Sequence, residues 1–351
     1  MTRHYRRAAL AAAALIALTG CSTGSSDSSS SSNVAGTTGD PSAFPVTIPH
    51  VYGETTIEKM PTRVATVSWV NADVALALDT VPVGMASDDF GGDENGLTPW
   101  KIDALEELDV TVDSDQAPAQ YSEADGINFN AISQTNPDVI LAAYSGLTQE
   151  EYDKLTEIAP VIAFPEVAYG TSWQESTEMI GQALGKSDQA TELIAEVESQ
   201  VAEDVADYPQ IAGKTYIFGN LEPASQDGIN VYQSTDNRPR FMDMLGMQPA
   251  PVVVEAEKTA EPGFSIVWSP ENAAQLESDV FLTWSSSEDA IAEIKSDPLL
   301  SQIPAIGKDS LIAFTDDTMT LATSAASPLS IPWATEKYLP LIADAVAKAS
   351  A

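Results

Sequence analysis

SDQATELIAEVESQVAEDVAD, residues 187–207, decides how the chain is organised. Its apolar residues Ala190, Leu193, Ile194, Val197, Val201 and Val205 recur at helical spacing and leave a broad charged face opposite. Ser187 serves as N-cap, Asp188 as a first-turn acid, and Pro209 forbids continuation beyond the far end. About 20 residues rising 1.5 Å each give a rod roughly 30 Å long. The rod falls near the middle of the chain, and the segments on either side resemble each other. This predicts two similar lobes joined by a stiff helix, with the function in the cleft between them.

The 351 residues suffice for two domains of about 150 residues, each able to bury a core. Cys21 is the single cysteine, which excludes a disulfide framework and a thiolate metal cluster. Sixteen basic residues stand against 52 acidic ones. The first 20 residues hold Arg3, Arg6 and Arg7 and no acid, so without them the balance is 13 against 52, a net charge near −39. Such a surface repels phosphates and excludes nucleic acid as a partner. We read the acidity as solubility in a salty or crowded exterior.

The amino terminus reads as an address and an anchor. A basic segment precedes the apolar run Ala8–Leu18, which is too short to span a bilayer and of the right length for a secretory signal peptide. The run ends Leu18-Thr19-Gly20-Cys21, which resembles the lipobox of bacterial lipoproteins, where the cysteine is acylated and becomes the first residue. Two or three acyl chains hold a membrane stably where one would not. Ser22–Asp40 is nearly all Ser, Gly, Thr and Asp and reads as a flexible tether. The expected divisions are a signal peptide at 1–20, the lipidated Cys21 and Ser-rich tether to 44, a lobe at 45–185, the linker helix at 186–208 and a second lobe at 209–351.

In the first lobe, strand candidates Arg63–Ser68, Val81–Ser87, Val110–Asp113, Asp138–Tyr144 and Val161–Pro165 alternate with helix candidates Asn71–Leu78, Phe129–Thr135 and Gln149–Ile158. The alternation predicts an α/β fold with a parallel sheet covered by helices, whose strand C-terminal ends border the ligand crevice. Trp69 and Tyr144 fall at such ends, Trp100 follows a Gly-rich loop, and Tyr169 and Trp173 follow the last strand. The loop Asp88–Gly96 lacks the spacing and closing Glu of a calcium loop and reads as a solvated acidic turn.

The second lobe repeats the pattern, with strand candidates Lys214–Phe218, Ile229–Tyr232, Ser265–Val267, Asp279–Trp284 and Ser310–Thr315. Ile127–Gly146 and Ile266–Ser287 share an apolar lead, a polar helix, an acid opening a buried strand, then an aromatic and a serine. Their acids, Asp138 and Asp279, lie 141 positions apart, which implies a duplicated domain. Beyond the signal segment the arginines are Arg63, Arg238 and Arg240. A guanidinium grips carboxylate, catecholate or hydroxamate oxygens with two donors, or pairs with a neighbouring acid; we favour a ligand role for Arg238 or Arg240. Trp284 joins the candidates as an aromatic at a strand end. The chain shows no G-x-S-x-G elbow, H-E-x-x-H, Walker loop or G-x-G-x-x-G, and His50 is the only histidine beyond the signal segment. A binding protein is expected, not an enzyme.

The folded body resembles the lipoprotein substrate-binding proteins of iron–siderophore ABC importers, relatives of vitamin B12 and haem binders. The resemblance rests on RVATVSWVNADVALALDTVPVGM (63–85), DGINFNAISQTNPDVILAAYSGLTQEEYDKLTEIAPVIAF (125–164), the central helix and SPLSIPWATEKYLPLIADAV (327–346). It implies two Rossmann-like lobes joined by a single long α-helix, the class III periplasmic binding protein fold. It also implies a ferric siderophore held whole between the lobes, coordinated by its own oxygens, with no cofactor or metal of the protein's own. The implied ligand-binding set is Trp69, Trp100, Tyr144, Tyr169, Trp173, Arg238, Arg240 and Trp284. The implied partners are an ABC permease and, through the lipid, the outer face of the cell membrane; a monomer is expected. In the family a glutamate on each lobe docks to the permease. Glu271 matches the second-lobe position, but Asn130 occupies the first, with Glu123 or Asp125 as nearby substitutes. Three other readings stay open: haem or a corrinoid, with Tyr144, Tyr169 or Tyr232 as haem ligand; a surface lipoprotein scaffold without transport; and a carboxylate-based hydrolase.

Overall fold

The computed structural model describes residues 39–222, 228–261 and 263–350. The expected signal peptide, Cys21 and the tether up to residue 38 lie outside the described residues.

The strand Val139–Ala142 is VILA, and all of its residues are buried. A strand apolar on both faces belongs inside a parallel sheet covered by helices. It lies between Val64–Thr66 and Val161–Ala163, and the sheet runs on through Gly84–Ala86 to Ala119–Tyr121, with every neighbouring pair parallel. The helices Val70–Ala77, Pro99–Glu107, Phe129–Gln134, Gln149–Thr156 and Trp173–Ala183 fall between or after these strands. This first half is the α/β arrangement that the alternation implies.

One expected strand is absent: Val110–Asp113 is not a strand, and the edge strand is Ala119–Tyr121. Val110 instead closes the helix before it. Asp109 adopts φ 59°. Its N–H reaches Glu106 O at 3.0 Å and the Val110 N–H reaches Leu105 O at 2.9 Å. That is a Schellman cap, and the Val110 side chain packs in the same apolar cluster as Leu105. An apolar residue used to finish a helix looks, in sequence, like one opening a strand.

The second sheet orders Ser265–Trp268, Ile229–Tyr232, Thr215–Asn220, Val280–Trp284 and Leu311–Phe314, with Gln248–Pro249 paired beside the start of Thr215–Asn220. Its last three strands are parallel, whereas Ile229–Tyr232 runs antiparallel to both of its neighbours. The central pairs of the two sheets share a device. Asp138 accepts from the Thr62 N–H (2.9 Å), the Thr62 hydroxyl (2.9 Å) and the Arg63 N–H (2.9 Å), clasping the start of the neighbouring strand. Asp279 accepts from the Thr215 N–H at 2.8 Å and its hydroxyl at 2.9 Å in the corresponding place.

Between the two sheets in the chain runs the helix Ser187–Ala206. Ser187 is its first helical residue; Lys186 stands at the N-cap position without a side-chain cap, so the expected Ser187 cap is corrected. The expected stripe is apolar in fact: Ala190, Val197 and Val201 are buried, and Leu193, Ile194 and Val205 pack against the same core. The helix lies on Trp173–Ala183 and on the C-terminal helix Ser330–Ala349. Gly181 sets the first of these distances, because a Cβ there would stand 2.5 Å from the Ala190 Cβ.

That contact gives a signed prediction. In an exposed helix Gly→Ala is stabilising by about 1 kcal/mol. At position 181 the added methyl must push two backbones apart, and overpacking costs about 1–3 kcal/mol. Gly181→Ala is expected to lower the urea midpoint at unchanged slope; a midpoint equal to or above that of the parent would show that the helices separate freely.

Candidate functional site

The five strands of the first sheet all run out into one hollow. Ser68 and Trp69 follow Val64–Thr66, Ser87 follows Gly84–Ala86, Glu123 follows Ala119–Tyr121, Gly146 follows Val139–Ala142 and Tyr169 follows Val161–Ala163. Their convergence at strand C-terminal ends is the usual place for a ligand in such sheets. The cavity has a volume of about 450 Å³, and Asp89 and Phe90 of the acidic loop and Glu151 complete its wall. That size suits a small organic ligand.

Trp69 and Tyr169 are 39% and 46% exposed, large aromatic faces left open in the hollow, with ring centroids 6.3 Å apart. Gly146 makes room for Tyr169: a Cβ there would lie 2.2 Å from the tyrosine ring. Ser68 and Tyr169 both hold left-handed backbone, φ 60° and 56°. Strained positions of this kind persist where the surroundings fix them, and they gather at functional sites. Tyr144 lies behind, edge-on to Tyr169 at 5.8 Å. The buried Asn71 fixes its backbone from both sides, donating to Tyr144 O at 2.9 Å and accepting from its N–H at 3.1 Å.

The second half meets this wall along one seam. The Tyr144 hydroxyl donates to Ser324 O at 3.1 Å, Arg240 Nη1 to Gly170 O at 2.9 Å and the Thr318 hydroxyl to Gly91 O at 2.7 Å. Trp284 stands 6.2 Å from Phe90 and donates Nε1–H to Asp317 at 2.9 Å. Arg238 is engaged: Nε and Nη2 hold the two oxygens of Asp236 at 2.7 and 2.6 Å, and its guanidinium lies 3.4 Å over the Tyr232 ring.

Of the sequence candidates, Trp69, Tyr144 and Tyr169 come together, Trp284 joins them through Phe90, and Arg240 touches the segment beside Tyr169. Two are placed elsewhere. Trp100 is buried, donating to Asp73 at 2.7 Å and packing on Trp333. Trp173 is buried in the first turn of its helix, in the main core. An indole at the start of a helix serves packing as readily as recognition, and the sequence carries no mark to tell them apart. Glu271 and Asn130 are exposed, each nine residues before the start of its central strand, Val280 or Val139. Glu123, read from sequence as a substitute docking residue, lines the cavity. The acidic loop is only partly solvated. Its first residue, Asp88, is buried against the Lys101 ammonium at 2.7 Å.

Glu123 was hidden by the misplaced edge strand; once Ala119–Tyr121 is the strand, the glutamate falls at its end. Its Oε2 accepts from the Ser68 N–H at 2.9 Å, while Oε1 is buried with no hydrogen-bond partner. Burial pushes its carboxyl up to about 7; Glu151 and Asp89 push the same way, against the Ser68 N–H and Lys101. Burial also pushes the hydroxyls of Tyr144, Tyr169 and Tyr232 upward. Among the described residues no group of three or more His, Cys, Asp or Glu is arranged to hold a metal ion, and no helix is long and apolar enough to cross a membrane.

Comparison with known proteins places this geometry. The sequence profile described as "Periplasmic binding protein" matches residues 64–318. The Fe(3+)-citrate-binding protein YfmC of Bacillus subtilis is 24% identical over 271 residues, 76% of this chain and 78% of that protein. The ferric enterobactin-binding periplasmic protein FepB of Escherichia coli O6:H1 is 26% identical over 286 residues, 77% of this chain and 83% of that protein. The crystal structure of Streptococcus pneumoniae PiaA in complex with ferrichrome superposes with a TM-score of 0.78 at 33% identity, covering 86% of this chain and 99% of that one.

The glutamate gives a pH test. Its folded value near 7 lies above the ordinary 4.5, so its charge destabilises the fold above pH 7. The penalty shrinks as pH falls through 7 and is gone below 4.5, where the group is neutral folded and unfolded. Glu123→Gln is expected to be more stable than the parent at pH 8, by on the order of 2 kcal/mol. The two should converge at pH 4.5, read by chemical denaturation. A difference independent of pH would place the charged group in water.

Proposed function

The chain belongs to the periplasmic binding protein family, and on that premise we propose that it is the receptor of an iron importer, taking up a ferric siderophore outside the cytoplasmic membrane and handing it to an ABC-type permease. The single observation that carries the reading is the open aromatic wall of Trp69, Phe90 and Tyr169 at the convergent strand ends. Rings of this kind suit the organic shell of a chelate, and the metal then needs no ligand from the protein. The relatives' names span ferric citrate, ferric enterobactin and ferrichrome, so family membership leaves the chelate open.

The candidate ligand-binding set now reads Trp69, Tyr144, Tyr169, Arg240 and Trp284, with Phe90 and Glu123 added. The lipobox-like Leu18–Cys21 and the Ser-rich stretch after it support a lipid anchor through Cys21 and a tether that keeps the body near the permease. Glu271 and Asn130, exposed at equivalent places, are the candidate contacts with that permease.

A ferric trihydroxamate is expected to quench the tryptophan fluorescence of the whole chain in a saturable titration. Trp69→Phe should remove most of the quenching, because Trp69 alone among the tryptophans lines the cavity. If hydroxamate, catecholate and citrate-type ferric chelates all leave the emission unchanged, the assignment is wrong.

A further inference from the structure

The charge around the cavity points to one kind of chelate, given that the cavity is the siderophore site proposed above. Its wall carries three carboxylates, Asp89, Glu123 and Glu151, and among its described lining residues no lysine, arginine or histidine. Two of the cations nearby are already committed to carboxylates. Lys101 is buried between Asp88 and Asp73, at 2.7 and 3.4 Å. The Arg238 fork is filled by Asp236, and Arg240 donates to Gly170 O. An anionic complex would therefore meet acids and no cation on this wall, in a protein whose net charge is already −36.

A cation meets the reverse. Trp69, Phe90 and Tyr169 present ring faces that attract an ammonium, and the carboxylates stand among them. The buried Oε1 of Glu123 has no hydrogen-bond partner in the protein. A buried acceptor left unpaired is costly, and a turn of the side chain into the hollow would let an N–H donor of the guest relieve it. Among the described residues no acidic group is arranged to hold a metal ion.

We propose that this cavity selects ferric chelates bearing a protonated amine, and that Glu123 receives the ammonium. The Coulomb and hydrogen-bond contributions then favour a cationic complex over a neutral one of the same shape, and a neutral one over a polyanionic one.

The test compares three ferric complexes by fluorescence titration of the whole chain at pH 8. They are a linear trihydroxamate ending in a primary amine, its N-acetylated form, and a tris-catecholate. N-acetylation removes the charge without touching the iron ligands. The amine form is expected to bind about tenfold tighter than the acetylated form, the size of one charged hydrogen bond. The tris-catecholate should bind more weakly than either. In Glu123→Gln the ratio of amine to acetylated form should fall to about one. Glu151→Gln is the second variant, should Glu123→Gln fail to fold, and a reduced ratio is expected there. Equal affinity for the amine and acetylated forms, or a ratio unchanged in the variants, overturns the charge inference and leaves the siderophore reading standing. Failure of all three complexes to quench overturns both.

Discussion

Asp73 ties the two halves of the molecule from the inside. Its carboxylate is buried in the helix Val70–Ala77 and accepts from Trp100 Nε1 at 2.7 Å and from the Ser327 hydroxyl at 2.6 Å, with the Lys101 ammonium 3.4 Å away. Burial pushes its carboxyl up to about 6, and Lys101 pulls it back. A buried acid is tolerated only with partners of this kind, and removing one leaves an uncompensated group. The partners come from both halves: Trp100 and Lys101 from the first, Ser327 from the segment that opens the C-terminal helix. The seam beside the cavity, with Tyr144 on Ser324, Thr318 on Gly91 and Arg240 on Gly170, runs alongside this knot.

The same knot explains why acidity and recognition coexist here. In a chain with 52 acids and 16 bases, each base is scarce. Lys101 is spent inside on Asp73 and Asp88, and Arg238 on Asp236 and the Tyr232 ring. The carboxylates that remain at the cavity take neutral partners, Ser87 and Ser122 for Asp89 and Thr148 for Glu151, and burial above all pushes the Glu123 carboxyl up to about 7.

How much of this could be read from residues alone depended on period and position. The linker helix was legible because six apolar residues keep one period over its length, and Pro209 stops it. The buried strand VILA was legible because nothing but a covered sheet takes such a run. The likeness of Ile127–Gly146 to Ile266–Ser287 was legible through Asp138 and Asp279, and both acids clasp the start of a neighbouring strand. What failed was local. Val110 spends its side chain on a helix cap, so the edge strand was set too early and Glu123 lost its place at a strand end. Ser187 looked like a cap, but the helix opens at it from Lys186. Trp100 and Trp173 looked like recognition residues because an indole near a loop carries no sign of which way it turns. Arg238 looked available because the acid that occupies it, Asp236, is only two residues away and looks like any other acid of this chain.

The Asp138 and Asp279 clasps sit where their strands begin, and the cavity sits where the strands of the first sheet end. The hydrogen bonds that keep neighbouring strands in register are therefore a strand's length away from the side chains that meet a guest. Substitutions at residues 69, 90, 123 or 169 can accumulate without disturbing the register. A binding protein built this way can change what its cavity accepts while its frame stays as it is.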